Sequence, residues 1–186
     1  MTTPKIGRLA TEPALSRPDL LAGPVKSALE GAGSLAESVF VAPIDASLAD
    51  TASFCAAYEV SLAESANCVV VAGKREGVEY VAACMVLATT RADVNGVVRK
   101  LLGVRKASFL PMDAAVAATG MEYGGITPLG LPADWPILVD PAVAALPFAV
   151  VGSGVRGSKL TLPGSVLASW PGAQVVEGLG RPVQQD

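Results

Sequence analysis

Two apolar runs separated by a short polar turn limit the folds open to this chain more than any other feature. Asn67 to Ala72 and Val78 to Ala88 flank Gly73-Lys74-Arg75-Glu76-Gly77, the composition of a hairpin turn, so the runs are expected to pair antiparallel. The second run, VEYVAACMVLATT, is nearly continuous in its apolarity, which places it in the centre of a sheet covered on both faces. Residues 1 to 17 carry Pro4 and Pro13 and read as a loose leader, followed by a helix from Pro18-Asp19 to about Glu30. Further strands are expected at 38–42, 106–110, 136–139, 148–151, 159–162 and 173–176. Helices are expected at 47–58, 94–102, 112–118 and 165–169, with Asp93 as the N-cap of the second. Mixed strand order with few helices means an α+β fold, loosely α/β, built on a largely antiparallel or mixed sheet. The expected division is a leader and helix over 1–38 and a single domain over 39–186.

Composition narrows the chemistry. Of 186 residues, 51% are hydrophobic, mostly Ala, Val and Leu, and 17% are charged, which excludes disorder over most of the length. No apolar stretch approaches the roughly 20 residues that cross a bilayer, and the N-terminus lacks a basic-then-apolar signal, so a cytoplasmic protein with no membrane partner is expected. A formal net charge of -3 gives no global attraction to nucleic acid, so any RNA contact must come from a local cluster of cations. There is no histidine, and Cys55, Cys68 and Cys84 are widely separated. The Ser-His-Asp triad, the Cys-His dyad and the usual Cys/His zinc site are thereby excluded, and neither metal nor cofactor is expected.

Two glycine-rich segments stand out. Thr119-Gly120 leads into Gly124-Gly125-Ile126-Thr127-Pro128-Leu129-Gly130, and Gly152-Ser153-Gly154-Val155-Arg156-Gly157-Ser158-Lys159 follows the apolar run 148–151. Glycines clustered beside hydroxyl-bearing Thr119, Tyr123 and Thr127 suit a loop whose bare backbone meets a ligand, and two such loops suggest one shared site. The second loop formally matches the dinucleotide fingerprint at Gly152, Gly154 and Gly157, but Lys159-Leu160-Thr161-Leu162 alternates like a strand where that fingerprint needs a long helix. It also misses the phosphate-binding P-loop, its lysine falling one position late. What survives is a loop of exposed N–H groups, flanked by Arg156 and Lys159, able to take a phosphate or carboxylate. The cations Arg99, Lys100, Arg105 and Lys106 are read as helix-dipole partners, and Asp93, Asp134 and Asp140 as turn or cap residues without a catalytic role.

Read together, these blocks resemble the YbaK/ProX family of aminoacyl-tRNA deacylases over roughly Val39 to Val176. The carriers are the Gly124-Gly125-Ile126-Thr127-Pro128 loop, which is similar to the family's G-G-[IV]-[ST]-P, then Leu138-Val139-Asp140 and the Gly152 to Gly157 loop. The resemblance implies hydrolysis of the ester joining an amino acid to the 3′ end of a mischarged tRNA, with Cys, Ala and Pro esters among the family's substrates. It also implies a mechanism resting on the tRNA terminal hydroxyl, a positioned water and loop backbone groups. By position Gly124, Gly125, Ile126, Thr127 and Pro128 would form the substrate loop, with Gly152, Ser153 and Gly154 lining the opposite wall. The family carries a lysine at the start of its first central strand, and Asn67 stands there instead. An amide can donate to a carbonyl or ribose hydroxyl but brings no charge. Asn67 is thus the candidate catalytic position, and Arg91, Arg156 and Lys159 are candidate phosphate contacts. Two readings follow: a deacylase acting in trans, or a non-catalytic homologue that holds an amino acid, aminoacyl-adenosine or tRNA 3′ end. No pattern in the sequence fixes the amino acid or an oligomeric state.

Overall fold

The structure, a computed structural model, describes residues 3–183. In chain order the elements are β1 (Glu12–Pro13), α1 (Gly23–Gly31), β2 (Phe40–Pro43), α2 (Thr51–Tyr58), the hairpin β3 (Ala66–Arg75) and β4 (Val78–Leu87), and β5 (Thr90–Ala92). A wide π turn (Val94–Val98) leads into α3 (Arg99–Leu101), then β6 (Ala107–Phe109), α4 (Met112–Thr119), β7 (Ile137–Val139) and α5 (Pro141–Ala144). The chain continues with β8 (Ala149–Gly152), β9 (Ser158–Leu162), α6 (Gly164–Ala168), β10 (Ala173–Val175) and β11 (Gly180–Pro182). This is the α+β class expected. A five-stranded sheet runs β10-β7-β4-β3-β6, a four-stranded antiparallel sheet runs β1-β2-β9-β8, and β5 pairs with β11. The larger sheet is mixed, because β7 pairs parallel to both β4 and β10.

The hairpin forms as the sequence suggests, with a tighter turn. Only Glu76 and Gly77 lie between the paired Arg75 and Val78, both at positive φ (52° and 81°), the conformation that matches strand twist in a two-residue hairpin. Gly73 belongs to β3 rather than to the turn. Its missing side chain admits a neighbouring segment: a Cβ there would lie 2.5 Å from Val104 Cγ2 and 2.6 Å from the Lys106 carbonyl oxygen. In β4, Met85 enters one core while Cys84 and Val86 enter another on the opposite face, so the strand is covered on both sides.

Asp93 caps the next helical segment as expected, but its carboxylate accepts from both Gly96 N and Val97 N (3.1 and 3.0 Å), and the first turn is a π turn instead of regular α-helix. The N-terminal residues, expected as a loose leader, are packed. Ile6 and Leu9 are buried against Phe54, and Ala14, Leu21, Ala22, Val25 and Leu29 join the main core with Val151 and Leu160. The helix expected from residue 18 starts later, at Gly23, after a single 3-10 turn at Pro18–Leu20.

Candidate functional site

The site arises where the two large sheets meet edge to edge. Val150 N donates to Glu64 O (2.8 Å), and Ser65 bridges Val150 in parallel, so β8 is joined to the residues just before β3. Farther along β3, Leu110 N donates to Val70 O (2.9 Å), and β6 covers the edge from there on. Between those two closures the strands diverge and leave a cavity of about 380 Å³. Its sheet wall is Ser65 to Val69, and its opposite wall is Val150 to Gly152. Strand alternation points the N–H and C=O of Cys68 to the same side as those of Val70, towards this gap. The N-terminus of α2, from Ala49 to Thr51, closes one end, and Tyr123, Gly124 and Ile126 of the first glycine loop form the mouth with Arg156.

Lys159 is the most informative side chain here. It sits on β9 opposite Gly152, is only 8% exposed, and lines the cavity. Its Nζ donates to Ala49 O (3.2 Å) and lies 5.1 Å from the Phe54 ring centroid. Among the described residues no carboxylate forms an ion pair with it. Desolvation lowers its pKa below the ordinary lysine value; Arg156 adds to that effect, while Cys55 and Asp50 oppose it. Asn67, across the cavity on β3, accepts a hydrogen bond at Oδ1 from Thr51 Oγ1 (2.8 Å), an arrangement that leaves its Nδ2 with two N–H to offer. Asp50, the N-cap of α2, accepts from Ser53 N (3.2 Å); hydrogen bonds from the Ser53 side chain and backbone hold its carboxyl below the usual range, so it is ionised at neutral pH. Cys68 is no candidate nucleophile, since burial and the neighbouring Cys84 push its thiol well up.

The two glycine loops meet, as expected, and Gly125 and Gly152 serve the meeting itself. Gly154 N donates to Gly125 O (2.7 Å), Glu122 N to Gly154 O (2.8 Å), and Arg156 N to Glu122 Oε2 (2.6 Å). The Arg156 guanidinium then ties the mouth, donating to Tyr123 O (3.1 Å) and Ala46 O (3.2 Å). Added Cβ atoms at Gly125 or Gly152 would strike the backbone of the other loop, so these positions are bare to let loop reach loop.

Of the residues singled out in the sequence, Asn67, Gly124, Ile126, Gly152, Arg156 and Lys159 line the cavity. Gly125 and Thr127 are buried behind it, and Pro128 lines a separate groove that includes Trp135 and Trp170. Ser153 does not line the cavity: its Oγ lies 2.6 Å from Ser158 Oγ and donates to Ser158 O, while Ser158 Oγ donates to Leu20 O (2.6 Å). Gly154, at φ 87°, packs against Ala22 and Val25. The N-terminal segment therefore supports the second loop from behind, with Ala22 N donating to Ser153 O (3.2 Å). Arg91 is exposed in another groove with Lys106 and Phe109. Sequence reasoning did not place Asp50 and Thr51 at the site. Asp50-Thr51-Ala52-Ser53 is legible as a helix cap, but nothing local says what that cap faces.

Comparisons with known proteins agree with this architecture. The family model described as aminoacyl-tRNA editing domain matches residues 45–169, more than half of the chain. Among solved structures, hypothetical protein APE2540 has a TM-score of 0.71 at 20% identity, covering 82% of this chain and 97% of that one. A structure described as a "putative trans-editing enzyme for prolyl tRNA synthetase" has a TM-score of 0.70 at 22% identity, covering 84% and 94%. No curated protein matches the chain. Among the described residues, no helix is long and apolar enough to cross a membrane. The matched span, more than half of its length, places this chain in the aminoacyl-tRNA editing domain family.

Proposed function

We propose that this protein hydrolyses the ester bond between an amino acid and the 3′-terminal ribose of a mischarged tRNA, acting in trans in the cytoplasm. The observation that carries the reading is the buried Lys159, in no ion pair among the described residues, facing Asn67 across one cavity. Water adds to the ester carbonyl carbon, the carbonyl oxygen takes up negative charge, and the ribose oxygen leaves with a proton, giving free amino acid and a tRNA with its hydroxyl restored. The need is for hydrogen-bond donors placed where charge develops, in a site that holds little water. Lys159 keeps N–H groups beyond the one given to Ala49 O, and Asn67 offers its amide. The charge that the family resemblance implies at position 67, where Asn67 stands, is on this reading supplied from β9, by a cation that reaches the same cavity from the opposite wall. Arg156 at the mouth is left for a phosphate.

Asp50 supplies the complementary charge. The substrate's acyl group carries a free α-ammonium, and Asp50 is the ionised carboxylate on the cavity. Asp50→Asn keeps the helix cap, since Asn caps about as well as Asp. It should raise KM about two- to fivefold for an ordinary aminoacyl ester, as expected for an exposed ion pair, and leave an N-acetylated ester unaffected. Equal change for both esters would remove Asp50 from substrate binding.

The function itself is tested by release of amino acid from a panel of purified mischarged tRNAs, corrected for spontaneous loss. No ester cleaved above the spontaneous rate would end the deacylase reading. Tight binding of an aminoacyl-adenosine amide under those conditions would favour the non-catalytic alternative.

A further inference from the structure

We infer that Tyr123 is a stacking platform for the nucleobase of the terminal nucleotide, an inference that rests on the deacylase reading and extends it. The cavity, at about 380 Å³, lies near the small end of ligand sites and suits an acyl group with its ribose. The base attached to that ribose then lies at the mouth. Tyr123 is on the cavity lining there, yet it is 57% exposed, and no ring or ion contact engages it among the described residues.

Its backbone is held in place. Gly125 N donates to Glu122 O (2.9 Å), closing a turn around Tyr123, and the Tyr123 carbonyl accepts from Arg156 Nη1. Gly124 turns the chain at φ 82°, and a Cβ there would lie 2.7 Å from Arg156 Nη1, so the guanidinium packs directly against the turn. A fixed turn presenting an exposed aromatic face beside an anchored cation has the chemistry of single-stranded nucleic acid recognition: a π-face for the base and a charge for the adjoining phosphate. Stacking of this kind tolerates any base, so Tyr123 gives affinity for the nucleotide end without reading its identity.

The test compares two esters of whichever amino acid is released fastest from the tRNA panel: the 3′-ester of adenosine, and the same 3′-ester on 1-O-methylribose, which has no base. Tyr123→Ala should lower kcat/KM on the adenosine ester by about 5- to 100-fold, the range of single base–aromatic stacks, and change the base-free ester less than twofold. Tyr123→Phe should restore the adenosine ester to within about threefold of wild type, because the face and not the hydroxyl is used. An equal loss on both esters, or no loss on the adenosine ester, overturns the stacking role and leaves the deacylase reading standing. Wild type that cleaves neither ester, nor the parent tRNA, overturns both together. Because the side chain is exposed, Tm should stay within about 2 °C of wild type in each variant.

Discussion

Lys159→Met is expected to cut ester cleavage by about two to three orders of magnitude in kcat while leaving Tm unchanged or higher. Methionine matches the length of the lysine stem and can still lie against Phe54, so the packing of β9 on α2 survives. What disappears is a charge that folding had to strip of water. That removal relieves a cost, and the separation of the two effects is the diagnostic: a structural lysine would lose stability with activity.

The pH dependence has a definite sign. The folded pKa of Lys159 lies below the unfolded value near 10.5, because desolvation penalises the ammonium. Between the two values the unfolded chain binds more protons than the folded one, so stability rises with pH across that window. Below the folded pKa the full penalty is present. Wild type should therefore gain on Lys159→Met as pH climbs through the alkaline window, which paired thermal melts would register. Enzymatic cleavage above the spontaneous rate should fall over the same interval, as the ammonium is lost. A variant with wild-type kcat, or a melt difference flat with pH, would show that Lys159 plays no such part.

Gly152→Ala should be the most damaging single-methyl change at the site. Gly152 closes β8 opposite Lys159, and an added Cβ there would overlap the Gly125 carbonyl oxygen and stand 2.8 Å from Gly125 C and Ile126 O. All of these atoms are backbone and no side chain can swing aside, so the first loop must retreat by about an ångström. Overpacking of this sort costs about 1 to 3 kcal/mol, or roughly 2 to 12 °C in Tm for a chain of this size. Displacing a wall of the site by that distance is worth about a hundredfold in rate. Gly157→Ala is the matched control from the same loop, because a Cβ at Gly157 meets nothing within 4 Å. It should be close to neutral in both readouts. Equal behaviour of the two variants, by thermal melt and by amino acid release, would dismiss loop contact as the reason for the glycine at 152.

These expectations mark where the sequence was readable. The β3–β4 hairpin was legible because its signals are local: alternation, β-branched runs and a Gly-ended turn. Gly73 misled because a glycine required by a neighbour far along the chain, at Val104 and Lys106, looks like a glycine required by a turn. The pairing of β7 with β4 leaves no local mark at all, since a parallel partner is set by a long connection. The glycine loops were legible as unusual and as partners, but not in purpose: at Gly125 and Gly152 the bare backbone meets backbone, and the ligand face falls to Tyr123, Gly124 and Ile126. Lys159 read as a phosphate contact at the edge of the second loop, at the start of a strand in which Lys159-Leu160-Thr161-Leu162 alternates polar with apolar. That pattern ordinarily marks a strand wet on one side. Here α2 and Phe54 cover the polar side as well, and every residue of β9 is buried. No property of five residues announces which helix will lie across them.

The hold of Leu20 and Ala22 on the loop from Ser153 to Ser158 reaches past the cleft itself. The stretch by which the family is recognised opens at residue 45, while the anchorage of its second wall is set more than twenty residues earlier. Kinship and mechanical self-sufficiency therefore have different limits in this molecule: the portion that declares ancestry borrows its footing from a portion that does not.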